Sequence, residues 1–123
     1  MSEKIKVDSV IIEGRKYVLE ENQVAKTLNG LPYKIVRTYS AGVFAGYIES
    51  RNGQEVVMRN VRRIWYWDGA ASLSQLAMSG TSKPKTCKFP GPTDRIELLQ
   101  AIEILDCTEK ARLSIEGVPE WQE

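Results

Sequence analysis

Residues 33–67 read Tyr33-Lys-Ile-Val-Arg-Thr-Tyr-Ser-Ala-Gly-Val-Phe-Ala-Gly-Tyr-Ile-Glu-Ser-Arg-Asn-Gly-Gln-Glu-Val-Val-Met-Arg-Asn-Val-Arg-Arg-Ile-Trp-Tyr-Trp67. Three runs rich in β-branched and aromatic residues, 33–39, 43–50 and 55–67, are separated by Ser40-Ala41-Gly42 and by Asn52-Gly53, a type I′ hairpin signal. The block predicts an antiparallel β meander. In its third run Val57, Arg59, Val61 and Arg63 share one parity, and Val56, Met58, Arg62, Ile64 and Tyr66 the other. Neither parity is wholly apolar. This predicts a strand covered in part on both faces, with a bulge near Arg62-Arg63.

Working outward, the period changes after Trp67. Asp68 is placed to cap a helix over 70–79, where Leu73, Leu76 and Ala77 recur at helical spacing and Gly80 stops it. Residues 81–94 hold three prolines and a glycine and read as a long irregular loop. Residues 95–105 read as a strand, or two short strands, closing the sheet, with helix as the competing reading. Asp106 or Thr108 then caps a helix over 109–116, ended by Gly117 and Pro119, and Trp121 is expected to dock on the core. Upstream, Ile5-Lys6-Val7, Val10-Ile11-Ile12 and Tyr17-Val18-Leu19 about a turn at 13–16 read as a β-hairpin, joined to the rest by a polar connection over 20–29. The expected architecture is α+β. It comprises an N-terminal β-hairpin arm with its connection (1–32) and a β-rich core domain (33–123) with a meander sheet and two short helices.

Composition removes much chemistry. The 123 residues include no histidine, which excludes Ser-His, Cys-His and His-carboxylate mechanisms. Cys87 and Cys107 stand 20 residues apart with no paired ligands, so no zinc site is expected and both read as free thiols. No compact Asp/Glu cluster indicates metal-dependent nuclease chemistry, and no glycine-rich phosphate loop is present. The expectation is a protein with no catalytic residues, metal or cofactor. The absence of an apolar signal segment or membrane-length run points to the cytoplasm.

The net charge of +1 conceals two blocks. Residues 34–63 carry Lys34, Arg37, Arg51, Arg59, Arg62 and Arg63 against Glu49 and Glu55, whereas 93–123 carry eight carboxylates against Arg95, Lys110 and Arg112. Such asymmetry fits a site for an anionic ligand, complementary faces of a self-associating protein, or ordinary solvated charge. Long nucleic acid is not expected at a pI near 7.7.

Three segments carry candidate binding residues. Arg37, Tyr39 and Ser40 precede a glycine turn that lets backbone approach a phosphate or ribose. Arg59, Arg62 and Arg63 interleave with Trp65 and Trp67, combining guanidinium forks for phosphate with rings for base stacking. Lys88 and Phe89 sit on the proline-rich loop, which could close over an anion. Each segment also has a plainer reading, as turn, core and solvated loop respectively.

The strings Arg37-Thr-Tyr-Ser-Ala-Gly-Val-Phe-Ala-Gly46, Arg62-Arg-Ile-Trp-Tyr-Trp-Asp-Gly-Ala-Ala-Ser-Leu-Ser-Gln-Leu-Ala77, Cys87-Lys-Phe-Pro90, Cys107-Thr-Glu-Lys-Ala111 and Gly117-Val-Pro-Glu-Trp121 resemble a family of small uncharacterised phage and prophage proteins. In size, source and architecture that family is similar to the phage anti-Thoeris sponge proteins, small β-rich oligomers that bind cyclic nucleotide signals without cleaving them. The resemblance implies a homo-oligomeric anti-defence protein that sequesters a cyclic nucleotide or cyclic ADP-ribose signal in an infected bacterial cell. The other reading is a small phage structural or protein-interaction protein with no nucleotide ligand. On the nucleotide reading at least two of the arginines must face one cleft. An interaction protein would instead present an apolar patch.

Overall fold

The computed structural model describes residues 3–5, 9–12, 15–18 and 30–122. Strands β1 (Glu3–Ile5), β2 (Ser9–Ile12) and β3 (Arg15–Val18) form an antiparallel three-stranded sheet, with Ile5 opposite Val10 and Val10 opposite Tyr17. The expected hairpin thus gains a third strand, and the 20–29 connection lies outside the described residues. The core follows as β4 (Tyr33–Thr38), β5 (Val43–Asn52), β6 (Glu55–Arg63), α1 (Leu73–Ser79), β7 (Thr93–Leu98), β8 (Ala101–Asp106) and α2 (Glu109–Glu116). It is an α+β fold.

The core sheet is antiparallel throughout, in the order β7-β6-β5-β4-β8. The 95–105 segment is therefore two strands, and they lie on opposite edges although only Leu99 and Gln100 separate them. In a flat sheet those edges would be about 19 Å apart, while three Cα steps reach only about 11 Å. The sheet must coil until its edges approach, as a partly open barrel. The crossing is pinned where Tyr39 N donates to Gln100 O at 2.9 Å and Ala101 N donates to Gln54 O at 3.0 Å.

Coiling gives the sheet two buried faces. Val36, Phe44, Val56, Met58, Val61 and Leu98 fill the inner one. On the outer one, Tyr33, Ile35, Ala45 and Tyr47 pack with Leu76 of α1, Ile115 of α2, and Phe89. The two sets alternate along β4 and β5, as period 2 demands, and β6 is likewise covered on both faces, as its mixed parities predict.

Three local expectations in β6 and α1 need correction. The irregularity in β6 falls at Asn60, with φ 46°, rather than at Arg62-Arg63, and the pairing with β5 slips between Ala45 and Tyr47. Gly46 lies in that slip because a Cβ there would stand 2.7 Å from Val61 Cα. Strand β6 ends at Arg63 instead of Trp67, since the Ile64 amide bonds Val43 O at 2.8 Å and the next two amides turn to Lys88 O. Ser72, not Asp68, caps α1, accepting from the Gln75 amide at 3.2 Å. Asp68 instead accepts from the Gly69 amide and the Thr86 hydroxyl, both at 2.9 Å, which holds its carboxyl below the usual range. The second helix is capped by Thr108, and Trp121 docks through its amide on Phe89 O at 3.0 Å.

Candidate functional site

The cationic and anionic blocks meet across the strands at the surface of the sheet. Lys34 of β4 lies directly opposite Asp106 of β8 and pairs with it, and Arg37 lies opposite Glu103 with a 2.9 Å bond. Arg59 of β6 bonds Glu49 at 3.0 Å and lies 3.7 Å from Asp94. Lys34, Arg37 and Arg59 thus sit in cross-strand ion pairs, while Arg51, Arg62 and Arg63 donate to main-chain carbonyls.

The predicted site residues divide accordingly. Arg37 and Arg59 sit in those exposed ion pairs. Arg63, paired across the sheet with Phe44, faces the inner side; its guanidinium lies 4.5 Å from that ring and donates to Ala41 O at 2.8 Å. This contact brings Arg63 to the Tyr39-Ser40 loop, where Tyr39 is 76% exposed. Trp65 is 66% exposed, while Trp67 is half-buried and donates to Ala70 O. Lys88 stands 5.5 Å from the Trp121 ring. Phe89 is wholly buried, so the stacking role expected of it has no open face. Four depressions among the described residues include Arg62 and Ser40 of the predicted set, but none of Arg37, Arg59 and Arg63.

Arg62 has a different task from the phosphate contact expected of it. It is buried, and its guanidinium donates to the carbonyls of Phe89 (2.6 Å), Pro90 (3.0 Å), Ile115 (2.9 Å) and Val118 (2.7 Å). Four of its five N–H groups are engaged. This ties the end of α2 and the proline-rich loop onto the sheet, and burial lowers the guanidinium's pKa without discharging it.

Beside Arg62 lies a cavity of about 310 Å³, walled by Tyr33, Asn60, Arg62, Pro92, Glu116, Val118 and Glu120. Tyr33 packs edge-on against Tyr47, with ring centroids 4.9 Å apart. Its hydroxyl is, among the described residues, the one buried side-chain polar atom with no hydrogen-bond partner. Burial, followed by the nearby Cys107 and Glu116, holds its pKa well above the usual tyrosine value. Glu116 accepts from the Tyr47 hydroxyl at 2.8 Å and from Arg112 at 2.7 Å, and Arg112 also forks onto Glu109. Glu120 is exposed and reaches the cavity beside Gly91, where a Cβ would stand 2.8 Å from its Oε1.

Sequence reasoning found Arg62 but not its neighbours. Tyr33 reads as an ordinary core aromatic in register with Ile35. The one available signal was Asn60, a residue depleted from strands and tolerant of positive φ. Among the described residues no helix is long and apolar enough to cross a membrane.

A family model described as a domain of unknown function matches residues 31–115, which begins beyond the three-stranded N-terminal sheet. No curated protein and no solved structure matches the chain.

Proposed function

This chain belongs to the DUF6948 family, whose description carries no activity, and we propose from the site itself that it is a non-catalytic binding protein holding a small ligand in the cavity beside α2. One observation carries the reading: the Tyr33 hydroxyl is buried without a partner in the wall of that cavity. A buried hydroxyl left unpaired costs about 1–3 kcal/mol, and such orphaned groups in native structures call for an explanation, here an occupant of the cavity. The volume suits one small metabolite, at the lower end of the roughly 300–1,000 Å³ typical of ligand pockets. Retention without turnover suits a chain that lacks histidine and whose Glu116 is already tied to Arg112.

The resemblance to sponge proteins gives this reading a biological form, sequestration of a signal in the cytoplasm of an infected bacterial cell. The free, buried thiols of Cys87 and Cys107 accord with a reducing compartment. A cyclic nucleotide would require phosphate donors that the described residues of one chain do not gather, so two copies would have to supply them. The test is thermal unfolding against cyclic dinucleotides, cyclic trinucleotides, cyclic ADP-ribose isomers, nucleosides and small amines, with recovery of intact ligand. A binder at 100 times its dissociation constant adds about 2.7 kcal/mol. Tyr33→Phe is expected to abolish the shift while raising the stability of the free protein by about 1 kcal/mol. A Tyr33→Phe variant that is destabilised and still binds would refute the reading.

A second reading rests on a separate observation. Trp65 and Tyr66 are 66% and 50% exposed, yet their backbone is fixed by three bonds to Lys88. Rigid exposed aromatics are the kind of residue that anchors protein interfaces. On this reading a second copy of the chain covers them, and Trp65→Ala would shift the sedimenting species toward monomer without lowering thermal stability.

A further inference from the structure

We infer that the ligand of the Tyr33 cavity presents a protonated amine on a short apolar body; this rests on the binding reading above. The polar wall is rich in acceptors. Arg62 has four of its five N–H groups bound to main-chain carbonyls, so it offers an incoming group little beyond its charge. That charge is faced by two carboxylates, Glu116 and Glu120, both close enough to act on the guanidinium electrostatically. A phosphate or carboxylate entering here would meet the Glu120 carboxylate, unpaired among the described residues, with Glu116 already tied to Arg112, and a guanidinium with little left to donate. An ammonium would find in Glu120 a counter-charge that Arg62, bound to main-chain carbonyls, does not neutralise by contact.

Its three N–H groups need acceptors, and the cavity holds them. Tyr33 is 2% exposed and its hydroxyl oxygen is unpartnered. The Glu120 carboxylate stands beside Gly91, which leaves the space its oxygens occupy, on a backbone that bridges Phe89 in parallel. Asn60, held at φ 46° within β6, is also part of the cavity wall. Pro92 and Val118 supply the apolar wall. Glu116 is less available, since both its oxygens accept from Arg112 and Tyr47; the assignment therefore falls on Glu120 as the counter-charge. The ligand sign is opposite to the anionic one expected from the arginine-rich sequence.

The test uses the full chain, ¹⁵N-labelled, titrated with 2-phenylethylamine, 2-phenylethanol and 3-phenylpropionate, which share a ring and differ in the polar head. The Arg62 Nε–H and Asn60 side-chain amide signals are followed. The amine is expected to saturate both shifts, the alcohol to bind at least about tenfold more weakly, and the carboxylate to move neither. Glu120→Gln, a change on an exposed side chain, is expected to weaken the amine about tenfold and leave the alcohol unchanged. Tighter binding of the carboxylate, or no effect of Glu120→Gln on the amine, overturns the inference. If a nucleoside or nucleotide shifts these signals and the amine does not, the inference fails and the binding reading stands. If no compound in either set shifts them and Tyr33→Phe destabilises the protein, both fail.

Discussion

A single arginine decides how the core's outer face is assembled. Arg62 replaces the hydrogen bonds of water for four buried carbonyls that come from two segments distant in sequence. Removing it would leave the Pro90 and Val118 carbonyls without their donor, at about 1–3 kcal/mol for each that finds no water, while Phe89 O keeps the Trp121 amide and Ile115 O the Val118 amide. Arg62→Ala is therefore expected to cost at least about 3 kcal/mol in urea denaturation, and Arg62→Lys to recover only part, because an ammonium lacks the planar fork. A loss under 1 kcal/mol would contradict the structural role. From the sequence, Arg62 was indistinguishable from Arg59 and Arg63. All three lie in one strand with aromatics following, and only the tertiary position of Ile115 and Val118 separates the buried arginine from its exposed neighbours.

At the level of elements, the pairing of β5 with β6 turns on two residues. Asn60 adopts φ 46° and Gly46 accepts the close approach of Val61, so the slip between Ala45 and Tyr47 delivers Val61 to the inner face and Arg62 to the outer. Gly46→Ala would place a methyl 2.7 Å from Val61 Cα, a contact only backbone movement can relieve. The expected loss is about 1–3 kcal/mol by chemical denaturation, with a downfield or upfield change in the Val61 amide reporting the shift. The meander and α2 were legible because period and capping are local. The β5–β6 hairpin falls where Asn52-Gly53 signalled it, but Asn52 pairs with Glu55 and the turn residues are Gly53 and Gln54, with only Gly53 at positive φ, so the expected type I′ turn is not formed. The early end of β6 was not legible, because Lys88 competes for the amides of Trp65 and Tyr66 from more than 20 residues away; the Ser72 cap is a local Ser-x-x-Gln pattern that the Asp68 reading passed over.

For the whole molecule, the outer core contains groups whose neutral forms it favours. Burial pushes the Cys107 thiol up to about 12 from its ordinary 9.0, and burial likewise raises Tyr33 and Tyr47. A thiol held higher when folded contributes its full stability below pH 9 and loses it as pH climbs toward 12, because the unfolded chain releases the proton first. The fold is expected to weaken by about 1 kcal/mol per pH unit from this group alone over that interval. Urea midpoints from pH 7 to 11 would measure it; Cys107→Ala should flatten the decline, and an unchanged slope would refute the assignment. The charge blocks show how the global level escapes sequence reading. The alternatives of ligand site and self-association both assumed that the blocks face outward, but β4 and β8 are neighbours, and Lys34 and Arg37 find Asp106 and Glu103 across the ladder. That adjacency also governs when the chain can fold. As the polypeptide emerges during translation, β4 must wait for residue 106 before its second edge is covered, and Arg62 must wait for Val118 before its fourth carbonyl exists. Nascent chains shorter than this expose an unpaired strand edge beside apolar residues, so the interval before residue 118 clears the ribosome is when chaperone capture and misassembly have their opening.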